Sequence, residues 1–137
     1  SQLWYGSGGR PRWKDANNYN HFQRYTFTPA NPTVSAGTIT GGGKNGEYAL
    51  CGDVCAFAMQ FTNWTLSSAA TIYVTLPFTP VGGIRICFSC DLYNGSWQTG
   101  RGHYDGSGTT VELLYFNATQ MGSGSGKWFT VNGTFLI

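Results

Sequence analysis

The sequence predicts an all-β fold, an antiparallel β-sandwich or jelly-roll-like head domain. Three observations carry that expectation. Apolar and polar residues alternate in run after run, no window repeats apolar residues at helical spacing over three turns, and Gly, Pro, Asn and Ser clusters separate the runs. Short strands with turn signals roughly every 8–15 residues are the pattern of a sandwich or jelly roll.

The elements follow in order. Residues 22–28 carry Phe22, Tyr25 and Phe27 and end at Pro29. Val34 to Thr40 reads as a short strand closing at Gly41-Gly42-Gly43. Glu47 to Cys51 and Val54 to Phe61 flank Gly52-Asp53, a hairpin turn, because Gly enters positive φ freely and Asp bonds its own backbone. In the second of these strands Cys55, Phe57, Met59 and Phe61 share one face, and Val54, Ala56, Ala58 and Gln60 the other. Thr71 to Leu76 alternates cleanly and stops at Pro77, which cannot donate to a ladder. From Gly83, Ile84, Ile86 and Phe88 oppose Arg85, Cys87 and Ser89. Thr109 to Phe116 sets Val111, Leu113 and Tyr115 against Glu112, Leu114 and Phe116. Trp128 to Leu136 closes the series, with Phe129, Val131 and Phe135 in register with Gly133, a position for a bulge or a close backbone approach. Segments 54–61 and 111–116 are apolar on both faces, which calls for a second burial partner, most simply another copy of the chain.

Composition limits the function. The 137 residues amount to one ordinary domain, able to bury roughly 68% of the unfolded surface. Hydrophobic residues at 41% argue against disorder. A net charge of +2, with only 10% charged residues, is no nucleic-acid footprint and predicts binding that depends little on salt. The apolar runs are too short for a membrane helix, so no membrane insertion is expected. The opening Ser1-Gln2 carries no signal-peptide pattern and reads as a fragment or a processed product.

The four cysteines form two close pairs, Cys51/Cys55 and Cys87/Cys90. Free buried thiols, two disulfides and a four-thiolate zinc site are the readings such spacing allows. Strand alternation puts Cys87 and Cys90 on opposite faces, against one site gathering all four sulfurs. No metal and no cofactor is expected. Sequons begin at Asn63, Asn94, Asn117 and Asn132, the last in a strand expected to be buried.

Three motifs in order carry a resemblance. Glu47 to Phe57 contains a Y-x-x-x-G-D-hydrophobic hairpin, Ile72 to Pro80 a hydrophobic-x-L-P-F-x-P strand end, and Phe129 to Leu136 a hydrophobic-x-G-T-aromatic-hydrophobic strand. Over residues 25–137 the chain thus resembles the C-terminal head domains of bacteriophage tail fibres. The resemblance implies a homotrimer at the distal end of a fibre, made in the host cytoplasm and carried on the virion. Its function would be reversible recognition of a host cell-surface glycan or protein receptor. The four cysteines and the aromatic-basic start depart from that pattern. Residues 1–24, with Trp4, Arg10, Arg12, Trp13 and Lys14, read as a linker or stem exit, or as a wrap around a neighbouring subunit.

The binding site is expected in the polar-aromatic stretch Asp91 to Gly108, read as a long loop. Tyr93, Trp97 and Tyr104 offer flat rings for sugar C–H faces, while Asn94, Gln98, Arg101, His103 and Asp105 offer hydrogen bonds. The bland alternative is that these aromatics prop the segment against its own subunit or a neighbour. Catalysis is not expected. Asp91 and Asp105 are the only plausible carboxylate pair, His21 and His103 lack spaced partners, and no G-x-S-x-G elbow occurs. A secreted lectin and a purely structural trimerisation cap are the competing readings.

Overall fold

The computed structural model describes the backbone at residues 2–5, 11–14 and 20–21, and every residue from 23 onward with its side chain. The described residues form thirteen strands and no helix. Strands β1 (Gln2–Tyr5), β2 (Pro11–Lys14) and β3 (Asn20–His21) pair as a small antiparallel sheet. The expected roles of the Trp4, Arg12 and Trp13 side chains, and of Phe22, lie outside the described residues.

The other ten strands make one antiparallel sheet. They are β4 (Arg24–Phe27), β5 (Thr33–Val34), β6 (Ile39–Thr40), β7 (Gly43–Cys51) and β8 (Val54–Leu66). Then come β9 (Ile72–Thr75), β10 (Ile86–Tyr93), β11 (Trp97–Tyr104), β12 (Thr110–Tyr115) and β13 (Gly124–Leu136). The order across the sheet is β4-β7-β8-β13-β10-β11-β12-β9-β5, with β6 also pairing β8. The C-terminal strand therefore lies mid-sheet between β8 and β10. The sheet curls, so that Phe78, just past β9, meets the Tyr48 ring of β7 edge-on at 4.9 Å.

The inner face is the core. Cys55, Phe57, Met59 and Phe61 point inward from β8, and Phe129, Val131 and Phe135 from β13. Phe61 stacks on Phe129 at 4.8 Å, and Phe57 meets Phe88 edge-on at 5.0 Å. The faces read from alternation agree here, including the outward Ala56, Ala58 and Gln60. Gly133 is a close approach, since a Cβ there would sit 2.6 Å from the Phe88 ring. Gly52-Asp53 is the expected hairpin turn.

Four expectations need correction. The strand expected over Val34 to Thr40 is two short strands, because Gly37 turns the chain at φ 67°. The last strand, expected from Trp128, begins four residues earlier, β13 starting at Gly124 opposite Leu66. The strand of Asn132, expected to be buried, is open to solvent on its outer face, where Asn132 points. The largest correction is the loop at Asp91 to Gly108. β10 continues through Tyr93, a three-residue turn follows with Gly95 at φ 85°, and Trp97–Tyr104 returns as β11. The inward positions of β11 are Gly100, Gly102 and Tyr104. Two of the three have no side chain, so the hydropathy alternation that marks a strand is missing.

Each cysteine pair is divided by strand geometry. Cys51 and Cys87 are exposed while Cys55 and Cys90 are buried, and all four are free thiols. Burial pushes the Cys55 thiol up to about 11. Burial, then the charges of Asp91 and Cys87, push Cys90 up to about 12.

Candidate functional site

The turn end of the β10–β11 hairpin gathers aromatic rings on the outer face. Tyr93 is the register partner of Trp97 on β11 and of Trp128 on β13. Cross-strand partners lie side by side on one face of a sheet, so the three rings form a row across three adjacent strands. Trp97 is 53% exposed and Trp128 36%. Tyr93 and Trp97 lie 5.3 Å apart at 50°, and the three side chains line a cleft of about 260 Å³. Exposed tryptophans on a strand have no core to fill, and their flat faces suit a ligand with apolar C–H surfaces.

A bulge and a buried lysine set this row. Trp64 pairs with Lys127 and Phe61 with Phe129, so Thr62 and Asn63 together oppose Trp128. Asn63 takes φ 59°, a left-handed conformation that Asn tolerates better than most residues. The extra residue re-phases the strand and leaves Trp64 and Lys127 inward while Trp128 stays outward. Lys127 is only 3% exposed, and its Nζ donates to Oδ1 of Asn94 at the hairpin turn. Burial lowers its affinity for a proton below the usual lysine value. The contact ties β13 to the turn that carries Tyr93 and Trp97.

The expected site residues are spread along the hairpin and not gathered. Tyr93, Asn94, Trp97 and Gln98 lie at the turn end. Arg101 and His103 face outward further along β11, where His103 Nδ1 stands 3.9 Å from Glu112 Oε2. Tyr104 is fully buried, its hydroxyl donating to Gly108 O at 3.0 Å, so its ring belongs to the core and cannot stack on a ligand. Asp105 accepts from Ser107 N at 3.0 Å and organises a turn. Asp91 sits opposite Thr99, and from Thr99 to Asp105 is six residues, or about 20 Å of strand. That is well beyond the roughly 5–9.5 Å a glycosidase carboxylate pair requires. Among the described residues no cluster of His, Cys, Asp and Glu could hold a metal ion, and no helix is long and apolar enough to cross a membrane.

Trp128 was the residue missed. Its signal is an outward tryptophan next to the inward Phe129 and Val131, but only the sheet order puts it beside Tyr93, 35 positions earlier. A second concavity of about 370 Å³ lies nearby on the outer face of β7, β8 and β13, with Asn45, Glu47, Ala58, Gln60, Thr130 and Asn132 among its lining. No family model, curated protein or solved structure matches the chain.

Proposed function

We propose that this chain is a non-catalytic adhesion module that binds a cell-surface glycan on the outer face of its sheet. The observation that carries this reading is the exposed row Trp97–Tyr93–Trp128. Aromatic faces beside amides and hydroxyls match a pyranose, which offers C–H patches and a ring of hydroxyl groups. The setting is the one the tail-fibre resemblance suggests: a receptor-binding head, sandwich-like in form, trimeric and carried at the tip of a virion fibre. Weak single sites then add up through several copies. Exposed Leu136 and Ile137 lie at the opposite end of β13 from the aromatic row, beside Val81, whose N–H donates to Leu136 O. This reading assigns that apolar end to contacts between copies and leaves the tryptophan end free for the receptor.

The test is binding of the tagged full chain to panels of bacterial cells and their purified surface polysaccharides. Wild type is compared with the double variant Trp97→Ala/Trp128→Ala. The expected result is a loss of roughly tenfold or more in apparent affinity with an unchanged melting curve. Equal binding by both proteins overturns the assignment to this row. Native mass spectrometry decides the assembly, with a mass near three times 14.9 kDa expected.

A further inference from the structure

The outer face carries a second feature beside the aromatic row. Register pairs Thr99 with Asp91, Asp91 with Thr130, Thr130 with Gln60, and Gln60 with Asn45. These five side chains stand on five neighbouring strands, β11, β10, β13, β8 and β7, and all face outward. At the spacing of adjacent strands the line crosses about 19 Å. One end lies next to the aromatic rings, because Thr99, Asp91 and Thr130 are each two residues from Trp97, Tyr93 and Trp128. The other end runs into the 370 Å³ concavity, whose floor is lowered by the small side chain of Ala58.

We infer that the aromatic row and the Asn45/Gln60/Asn132 concavity are two ends of one binding track, and that its ligand is an extended, uncharged oligosaccharide rather than a single terminal sugar. This rests on the glycan reading above and specifies its substrate class. Chemistry selects the ligand. Amides, hydroxyls and carboxylates in a line can each bond sugar hydroxyls, and none is a cation that would demand an anion. Asp91 stands within the line, so uronic or sialic acids would meet like charge there, while Glu47 at the edge of the concavity is offset by the Arg24 guanidinium 3.8 Å away. Arg101 lies to one side, on the next register line with Ser89 and Asn132.

The probes are gluco-, manno- and galacto-saccharides from mono- to hexasaccharide, with oligogalacturonates as the charged control, titrated calorimetrically into the full chain. In one neutral series the affinity rises roughly tenfold or more with chain length, and the galacturonates bind at least as much weaker. Gln60→Ala/Asn132→Ala removes the gain with length and leaves binding of the shortest ligand intact, since both side chains are exposed and neither lines the cleft between the rings. Trp97→Ala removes binding at every length. Affinity that is independent of length but lost in Trp97→Ala overturns the track and leaves the aromatic site standing. No binding by wild type in any series overturns the glycan reading and the track with it.

Discussion

The hairpins β7–β8 and β10–β11 flank β13 on either side, and their turns point to opposite ends of the sheet. In β7–β8 the inward positions hold Leu50, Cys55, Phe57, Met59 and Phe61, while the outward side of β8 carries the small Ala56 and Ala58 beside Gln60. In β10–β11 the emphasis is reversed. Inward Phe88 and Cys90 face Gly102 and Gly100, and the outward side carries Tyr93, Trp97, Asp91 and Arg101. The first hairpin supplies volume to the core. The second yields volume so that neighbours can close over it, and places its chemistry outside. A strand with two glycines on its inner face still pairs, because the ladder is made by backbone groups.

Several measurements would break or sharpen that contrast. The largest difference is expected in thiol chemistry, where each hairpin has one cysteine outside and one inside. A thiol-specific reagent should label Cys51 and Cys87 in the native protein and reach Cys55 and Cys90 only on unfolding. At neutral pH a thiol pushed up to about 11 or about 12 is ionised in only ~0.01% of molecules or fewer, and burial blocks access besides. Mass spectrometry after timed labelling reads this directly. Four thiols labelled at one rate would contradict the inside-outside division.

Next in size is packing. Phe61→Ala deletes a stacked core ring and should cost ~3–5 kcal/mol in denaturant unfolding. Gly100→Ala tests the other hairpin with the opposite kind of change. Strand propensity alone would make alanine favourable, but its Cβ would stand 2.6 Å from the carbonyl oxygen of Leu114. The expected result is destabilisation of ~1–3 kcal/mol, and a stabilised variant would show that β11 is not held this close to β12.

Lys127 gives a pH-dependent effect. Its folded-state proton affinity is lowered by burial, so between that value and its ordinary 10.5 the unfolded chain binds more protons. Stability from this group therefore rises as pH climbs towards 10.5 and is lost as pH falls through the folded value. Wild type should gain on Lys127→Met over that alkaline range, as followed by urea unfolding at stepped pH. A constant difference would mean that the lysine is as hydrated as a surface one. The smallest effect belongs to Trp97→Ala, which should change stability by no more than ~0.5 kcal/mol, because the ring packs on little beyond Tyr93. A large loss there would make the tryptophan a structural prop.

Much of the fold was legible in advance where side chains alternate. The inward set of β8, the stop at Pro77, the turn at Gly52-Asp53 and the inward Phe129, Val131 and Phe135 all follow from local chemistry. Residue type alone also singles out Tyr93, Asn94, Trp97 and Gln98, which lie together at the turn end of β10–β11. The strand that carries Trp97 was not legible, because Gly100 and Gly102 give no hydropathy signal. Tyr104 is buried for a reason the sequence hides in the same way: without a visible strand, nothing marks it as an inward position.

The sequence by itself determined that this chain forms strands, which faces of most of them are apolar, and where several of them end, since side-chain period and turn chemistry are local properties. Tertiary structure decided which strands are neighbours. Placing β13 between β8 and β10 sets Trp128 beside Tyr93 and aligns Thr99, Asp91, Thr130, Gln60 and Asn45 across five strands. Pairing depends on how the whole inner face packs, with glycines admitting Leu114, Val131 and Phe88 where larger residues would not fit, and that fit is a property of the assembled core.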